Sequence, residues 1–241
     1  MNQITVDKRS VVFVVSQHLY AGYCLVLFAL LGMTVLVINL FLPSLRRRRL
    51  VAGVFSRAFL RAAGVSFTVH GIERLPRTPC VVVANHASYL DGVVAAAALP
   101  PDFAFVIKKE MVRVPIASML LRRLGSEFVE RFDRQKGAVD ARRVLKLAAS
   151  GQSLVFFPEG TFNEVRQIGN FLGGAFAIAA RLKLPVVAAA IHGTRDVLPP
   201  GTLLMRRRPI RVEILAILDA REAKQHSREL IAQAVGEPLA P

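Results

Sequence analysis

The 241-residue chain contains two cysteines, Cys24 and Cys80, and no tryptophan. Two thiols cannot build a disulfide framework or a cysteine-rich zinc site. Acidic residues are also scarce. There are 17 Asp+Glu against 32 Lys+Arg, a formal net charge of +15, and none lies between Asp7 and Glu73. No G-x-S-x-G elbow of a serine hydrolase occurs, no P-loop, and no zinc-finger spacing. Aromatic and basic residues do not alternate as on a nucleic-acid surface, so charge alone speaks for that partner and the reading excludes it. Low hydrophobicity is absent too: 53% of residues are hydrophobic and the mean hydropathy is +0.43. That excludes disorder. An apolar, cationic chain of this length fits one globular domain that meets a membrane surface.

Residues 19–42 carry no charge for 24 positions, with Asn39 the strongest polar interruption. A bilayer core needs about 20 apolar residues in a helix, so the stretch can span one. It is too long for the apolar region of a cleavable signal. Arg46, Arg47, Arg48 and Arg49 follow it, against Lys8 and Arg9 on the other side. This bias places the following domain in the cytoplasm, on a bacterial inner membrane. Gly22, Gly32 and Asn39 also suit a re-entrant pair of short helices. From Leu50 to Ala62 apolar residues recur at helical spacing, with Arg57 and Arg61 on the opposite face. This second helix either packs on the core or lies in the interface with its arginines on anionic headgroups.

Residues 46–241 hold 30 Lys+Arg and 16 Asp+Glu, so the remainder is strongly basic by itself. Strand patterns at 66–70, 80–84, 103–107, 127–130, 153–157, 186–191 and 210–214 alternate with helical ones at 89–98, 116–124, 138–149, 173–181 and 221–235. This predicts an α/β fold with a mostly parallel central sheet flanked by helices, behind an N-terminal membrane-anchoring helical segment. The expected organisation is an anchor over 1–45, a basic amphipathic helix over 46–64, and the α/β domain over 65–241.

Sites in open parallel sheets gather at the carboxyl ends of strands. His86 follows the run Val81-Val82-Val83-Ala84, with Asp91 five residues on and Ser88 as the expected N-cap of the next helix. A histidine with a carboxylate partner suits a general base acting on a hydroxyl. His192 and Asp196 form a rival pair after another strand, and His70 reads as structural. Phe157-Pro158-Glu159-Gly160-Thr161 follows a further strand, and its Pro–Glu–Gly turn predicts an exposed carboxylate beside backbone N–H groups. Gly125 to Arg131 is a short strand delivering an arginine, and Lys108-Lys109 end another. Cations at adjacent strand ends make a phosphate pocket.

In this order, Asn85-His86 to Asp91, Gly125 to Arg131, Phe157 to Thr161 and Leu184-Pro185-Val186-Val187 resemble the blocks of the glycerolipid acyltransferase family over roughly residues 65–200. The best-known member is 1-acylglycerol-3-phosphate acyltransferase. The resemblance implies an acyl-CoA or acyl-carrier-protein donor, a lysophospholipid acceptor, and neither metal nor other cofactor. It implies that His86 is the base and that Asp91 orients it. Lys108, Arg131, Glu159, Gly160 and Thr161 would bind the acceptor's phosphate and glycerol, leaving His192 structural. One position departs: Phe162 stands where many members carry an arginine that holds the phosphate. Another lysolipid, such as a lyso-ornithine lipid, therefore stays open as acceptor, as does a non-catalytic lipid-binding protein tethered to the membrane.

Overall fold

The computed structural model describes residues 8–130, 134–162 and 164–241. Among these, the seven apolar runs form one sheet of strands β1 (Phe67–His70), β2 (Val81–Ala84), β3 (Phe103–Lys108), β4 (Glu127–Val129), β5 (Ser153–Phe156), β6 (Val186–His192) and β7 (Ile210–Leu218). Their spatial order is β1-β7-β6-β2-β5-β3-β4. Every neighbouring pair is parallel except β6–β7. The sheet is thus mostly parallel, and the carboxyl ends of β2, β3, β4, β5 and β6 open on one edge. β7 runs four residues past its expected end, because it stays paired with β6 as far as Leu218 across a bulge at Ala188/Ala189.

Helices α1 (Lys8–Phe41), α2 (Leu45–Ala62), α3 (Asp91–Ala98), α4 (Pro115–Arg123), α5 (Arg134–Ala149), α6 (Gly174–Leu182), α7 (Thr194–Val197) and α8 (Ala223–Val235) complete the described chain. β2 shows why its sequence is apolar at every position. Val82 and Ala84 face the layer of α2 and α3, among Phe59, Leu60 and Val94. Val81 and Val83 face the opposite layer, among Phe176 and Ala179 of α6 and Ile231 of α8. A parallel strand covered on both faces needs no polar alternation. Burying a side chain such as Leu60 or Ile231 contributes about 1.5–3 kcal/mol relative to leaving it exposed.

α1 and α2 are an antiparallel hairpin. Near the base of α2, Tyr20 donates to the Ala63 carbonyl at 2.8 Å and Tyr23 to that of Ala62 at 3.1 Å. Further along, the rings of Phe28 and Phe59 meet edge to face at 5.3 Å. At the turn, the Ser44 hydroxyl caps α2 by accepting from the Arg47 N–H. α2 packs so closely on α3 that a Cβ at Gly53 would lie 2.8 Å from the Ala96 carbonyl oxygen. The segment from Val14 to Phe41 is long and apolar enough to cross a membrane. Three of the four arginines after it have partners within the protein. Arg46 pairs with Asp102 at 3.2 Å, Arg48 donates to the Leu42 carbonyl at 2.6 Å, and Arg49 donates to the Leu124 carbonyl and Gln152 at 2.8 Å each. Burial lowers the Arg49 pKa to about 10.

Candidate active site

β2 delivers Asn85 and His86 to the open edge of the sheet. Asn85 extends the pairing of β2 with β6 by side chain: its Nδ2 donates to the Ile191 carbonyl at 2.9 Å, and its Oδ1 accepts the Ile191 N–H at 2.8 Å. This fixes the chain direction as it leaves the strand. His86 Nδ1 lies 2.8 Å from Asp91 Oδ2, with the imidazole 16% exposed and the carboxylate fully buried. The same oxygen accepts the N–H groups of Ala87 at 2.6 Å and Ser88 at 2.8 Å. A carboxylate only accepts, so Nδ1 carries the proton and Nε2 keeps its lone pair.

Ser88 caps the start of the next helix as its position predicts: its hydroxyl accepts the Leu90 N–H at 3.2 Å and its carbonyl the Asp91 N–H at 3.2 Å. The regular turns of α3 begin at Asp91. The same hydroxyl donates to the Leu198 carbonyl at 2.7 Å, which ties the loop to the segment after α7. The Ala87 and Ser88 N–H groups go to Asp91, since a carboxylate is a stronger acceptor than a hydroxyl.

The loop after β5 closes on the same histidine. Phe157 stacks on the imidazole at 4.7 Å and Phe162 meets it edge-on at 4.6 Å, with Tyr89 edge-on to Phe162 at 4.8 Å. Glu159 is not the exposed carboxylate that its turn predicts. Its Oε1 accepts the His86 N–H and its Oε2 the Gly169 N–H, both at 2.7 Å. Burial pushes its carboxyl pKa up, and these two backbone bonds act against that. Glu159 therefore clamps the backbone of the histidine to a third segment. Arg228, buried on α8, holds that segment by donating to the carbonyls of Gly169 at 2.9 Å and Ile168 at 3.1 Å. Gly160 turns with φ +81°, which suits glycine, and Thr161 is exposed beside it.

Lys108, at the end of β3, lines the cavity that His86 opens into and makes no ion pair with a described residue. Arg131 lies outside the described residues. The rival pair does not form: Asp196 binds Arg166, while His192 Nε2 lies 3.6 Å from Glu213. Burial, then the nearby Arg211, lowers the His192 pKa. The cavity measures about 330 Å³ and is walled by apolar residues of α1, α2, α3 and α4, with His86, Lys108 and Phe162 among its lining. Sequence reasoning missed the aromatic box and the Arg228 brace. Phe157 opens a motif block and Phe162 follows its end, but only the fold turns both onto one ring.

A strand-end histidine oriented by a buried carboxylate, beside an apolar cavity in a mostly parallel α/β sheet, is an arrangement that suits a general base. The family described as Acyltransferase matches residues 66–192, more than half of the chain. The chain belongs to that family. It is 34% identical over 136 residues to a chloroplastic 1-acyl-sn-glycerol-3-phosphate acyltransferase of Brassica napus, covering 56% of this chain and 39% of that protein. It is 30% identical over 149 residues to the 1-acyl-sn-glycerol-3-phosphate acyltransferase of Pseudomonas aeruginosa, covering 58% and 57%. The chain thus spans about two fifths of the length of the chloroplastic relatives it matches. The crystal structure of the 1-acyl-sn-glycerophosphate acyltransferase of Thermotoga maritima superposes with a TM-score of 0.73 at 22% identity, over 92% of this chain and 94% of that one. At that identity the likeness establishes the fold. Its coverage also takes in part of the N-terminal helix hairpin.

Proposed function

We propose that the chain transfers a fatty acyl group from an acyl thioester to the free hydroxyl of a lysophospholipid, with 1-acylglycerol-3-phosphate as the first acceptor and phosphatidic acid as the product. The observation that carries this reading is the His86–Asp91 pair beside an apolar cavity lined in part by helix α1. Nε2 of His86 removes the acceptor hydroxyl proton as the oxygen attacks the thioester carbonyl carbon. The tetrahedral intermediate then collapses, the C–S bond breaks, and the imidazolium returns its proton to the leaving thiolate. Asp91 holds the ring and offsets the charge that His86 gains in passing.

A thioester is already activated, so the step calls for no metal and no acyl-enzyme. Coenzyme A and acyl carrier protein are the two donors this chemistry fits, and both are acidic partners for a basic surface. Lys108 and Arg131 serve the acceptor phosphate. Gly160 and Thr161 shape the glycerol side, and Glu159 contributes by fixing the backbone of His86. The first 45 residues act as the membrane anchor and 46–64 as a basic helix at its surface. Residues 65–241 form the catalytic domain on the cytoplasmic side of a bacterial inner membrane.

The test is a product assay. Membranes bearing the chain, given an acyl thioester and lysophosphatidic acid, should form phosphatidic acid, and the His86→Ala chain should not. Binding of lysolipid without turnover of any lysolipid acceptor would overturn the proposal in favour of a lipid-binding protein.

A further inference from the structure

α4 is apolar on both of its faces. Ala117, Leu120, Leu121 and Leu124 recur at helical spacing and line the cavity. On the other side Ile116 and Met119 stand exposed, Ile116 at 55%, and Val112 and Val114 continue the exposed apolar surface just before the helix. The exposed positions of this nine-residue helix are Pro115, Ile116, Met119 and Arg122, an apolar front with one cation at its end. Two observations say what covers the front.

The first is continuity with α1. Arg123, the last residue of α4, donates through Nη2 to the carbonyls of Asn39 and Leu40 at 2.7 Å each. Arg49 holds the next carbonyl, that of Leu124, at 2.8 Å. α4 is thereby tied to the end of α1, where Leu40 and Phe41 are exposed, Phe41 at 81%. The apolar front of α4 and the apolar end of α1 form one surface. The second is charge. Between residues 103 and 126 Glu110 is the single acid, and besides Lys108 in the cavity and Arg123 on the α1 carbonyls the cations are Lys109, Arg113 and Arg122. Apolar side chains rimmed by cations match an anionic lipid surface, where the stems enter the acyl region and the charges meet headgroups.

We propose that residues 109–124 are a second membrane-seating element, with Val112, Val114, Ile116 and Met119 inserted in an anionic bilayer beside α1. α4 is then a thin partition with bilayer on one side and cavity on the other. The inference rests on the membrane reading of α1, and its test separates the two.

Single cysteines at Ile116 or Met119, at Leu30 on α1, and at Val139 on α5 are labelled with bimane in the full chain. Leu30 and Val139 are 63% and 56% exposed, and the native thiols of Cys24 and Cys80 are buried. The chains are reconstituted in phosphatidylglycerol vesicles containing brominated phosphatidylcholine. Labels at 116, 119 and 30 should lose emission to the bromines, and the label at 139 should not. Quenching at 30 alone would overturn the proposal and leave α1 in the membrane. No quenching at any site would overturn both readings. A blue shift at 116 and 119 without quenching would assign the face to a second protein surface and also overturn it. Should Ile116→Cys fail to fold, Val112→Cys makes the same measurement from outside the helix.

Discussion

Around the imidazole, each neighbour constrains a different degree of freedom. Asp91 sets the ring's tautomer and tilt, Glu159 fixes the backbone N–H, and Phe157 and Phe162 limit where the ring can lie. Glu159→Gln keeps one acceptor and turns an NH₂ group toward the other N–H, which costs about 1–3 kcal/mol. The pH dependence has a defined sign. Burial raises the native pKa of Glu159 above its ordinary 4.5, so its contribution to stability is complete below 4.5 and is lost as pH rises through the native value. In urea titrations the stability advantage of the wild type over Glu159→Gln should therefore widen as pH falls from 7 toward 4.5. A gap that narrows on acidification would mean that the two backbone bonds outweigh burial at this carboxyl. Phe162 bears on the acceptor. Phe162→Arg puts a guanidinium where the ring now meets His86, and one charge-assisted hydrogen bond is worth about 1.5–3 kcal/mol. The kcat/KM for lysophosphatidic acid should then rise tenfold or more relative to a lysolipid without a phosphate monoester, at an effect of about 1.4 kcal/mol per decade. An unchanged ratio would mean that position 162 does not face the acceptor's phosphate.

Among the elements, the α2–α3 contact decides the shape of the cavity. Gly53 costs α2 about 0.5–1 kcal/mol of helix propensity relative to alanine, but it lets the Ala96 carbonyl approach to where a side chain would begin. Gly53→Val should push the helices apart and lower stability by about 1–3 kcal/mol. Thermal unfolding in detergent measures the loss, and wild-type stability would contradict the close contact. The elements were also the part most legible in the sequence. All seven strand patterns form, because runs such as 81–84 and 186–191 are too apolar to lie anywhere but in a doubly covered sheet. The motif blocks likewise marked His86 and Asp91 as neighbours. What escaped the sequence was long-range. The Pro–Glu–Gly turn reads as exposed until Gly169 and His86 converge on its carboxylate from distant segments. Arg48 and Arg49 read as a membrane flank, yet their partners are carbonyls at Leu42 and Leu124 and the amide of Gln152. The pairing of His192 with Asp196 also looked sound by spacing, until Arg166 claimed the carboxylate.

Over the whole molecule, apolar and polar work are divided between two ends of one fold. The sheet brings three strand ends together, with His86 after β2, its Glu159 clamp after β5 and Lys108 at the end of β3, and the α1–α2 hairpin with α4 supplies an apolar chamber against them. For the proposed reaction neither half suffices, since the histidine without the chamber would have no amphiphile to act on, and the chamber without it would only bind. The central claim is that His86 is the base for acyl transfer in this chamber. Acceptor-dependent release of free thiol from an acyl thioester, measured for wild-type and His86→Ala membranes of equal protein content, tests it most directly. A general base contributes about 10²–10⁴ in rate, and the variant should lose that factor while staying in the membrane fraction. Equal thiol release by the two would contradict the account.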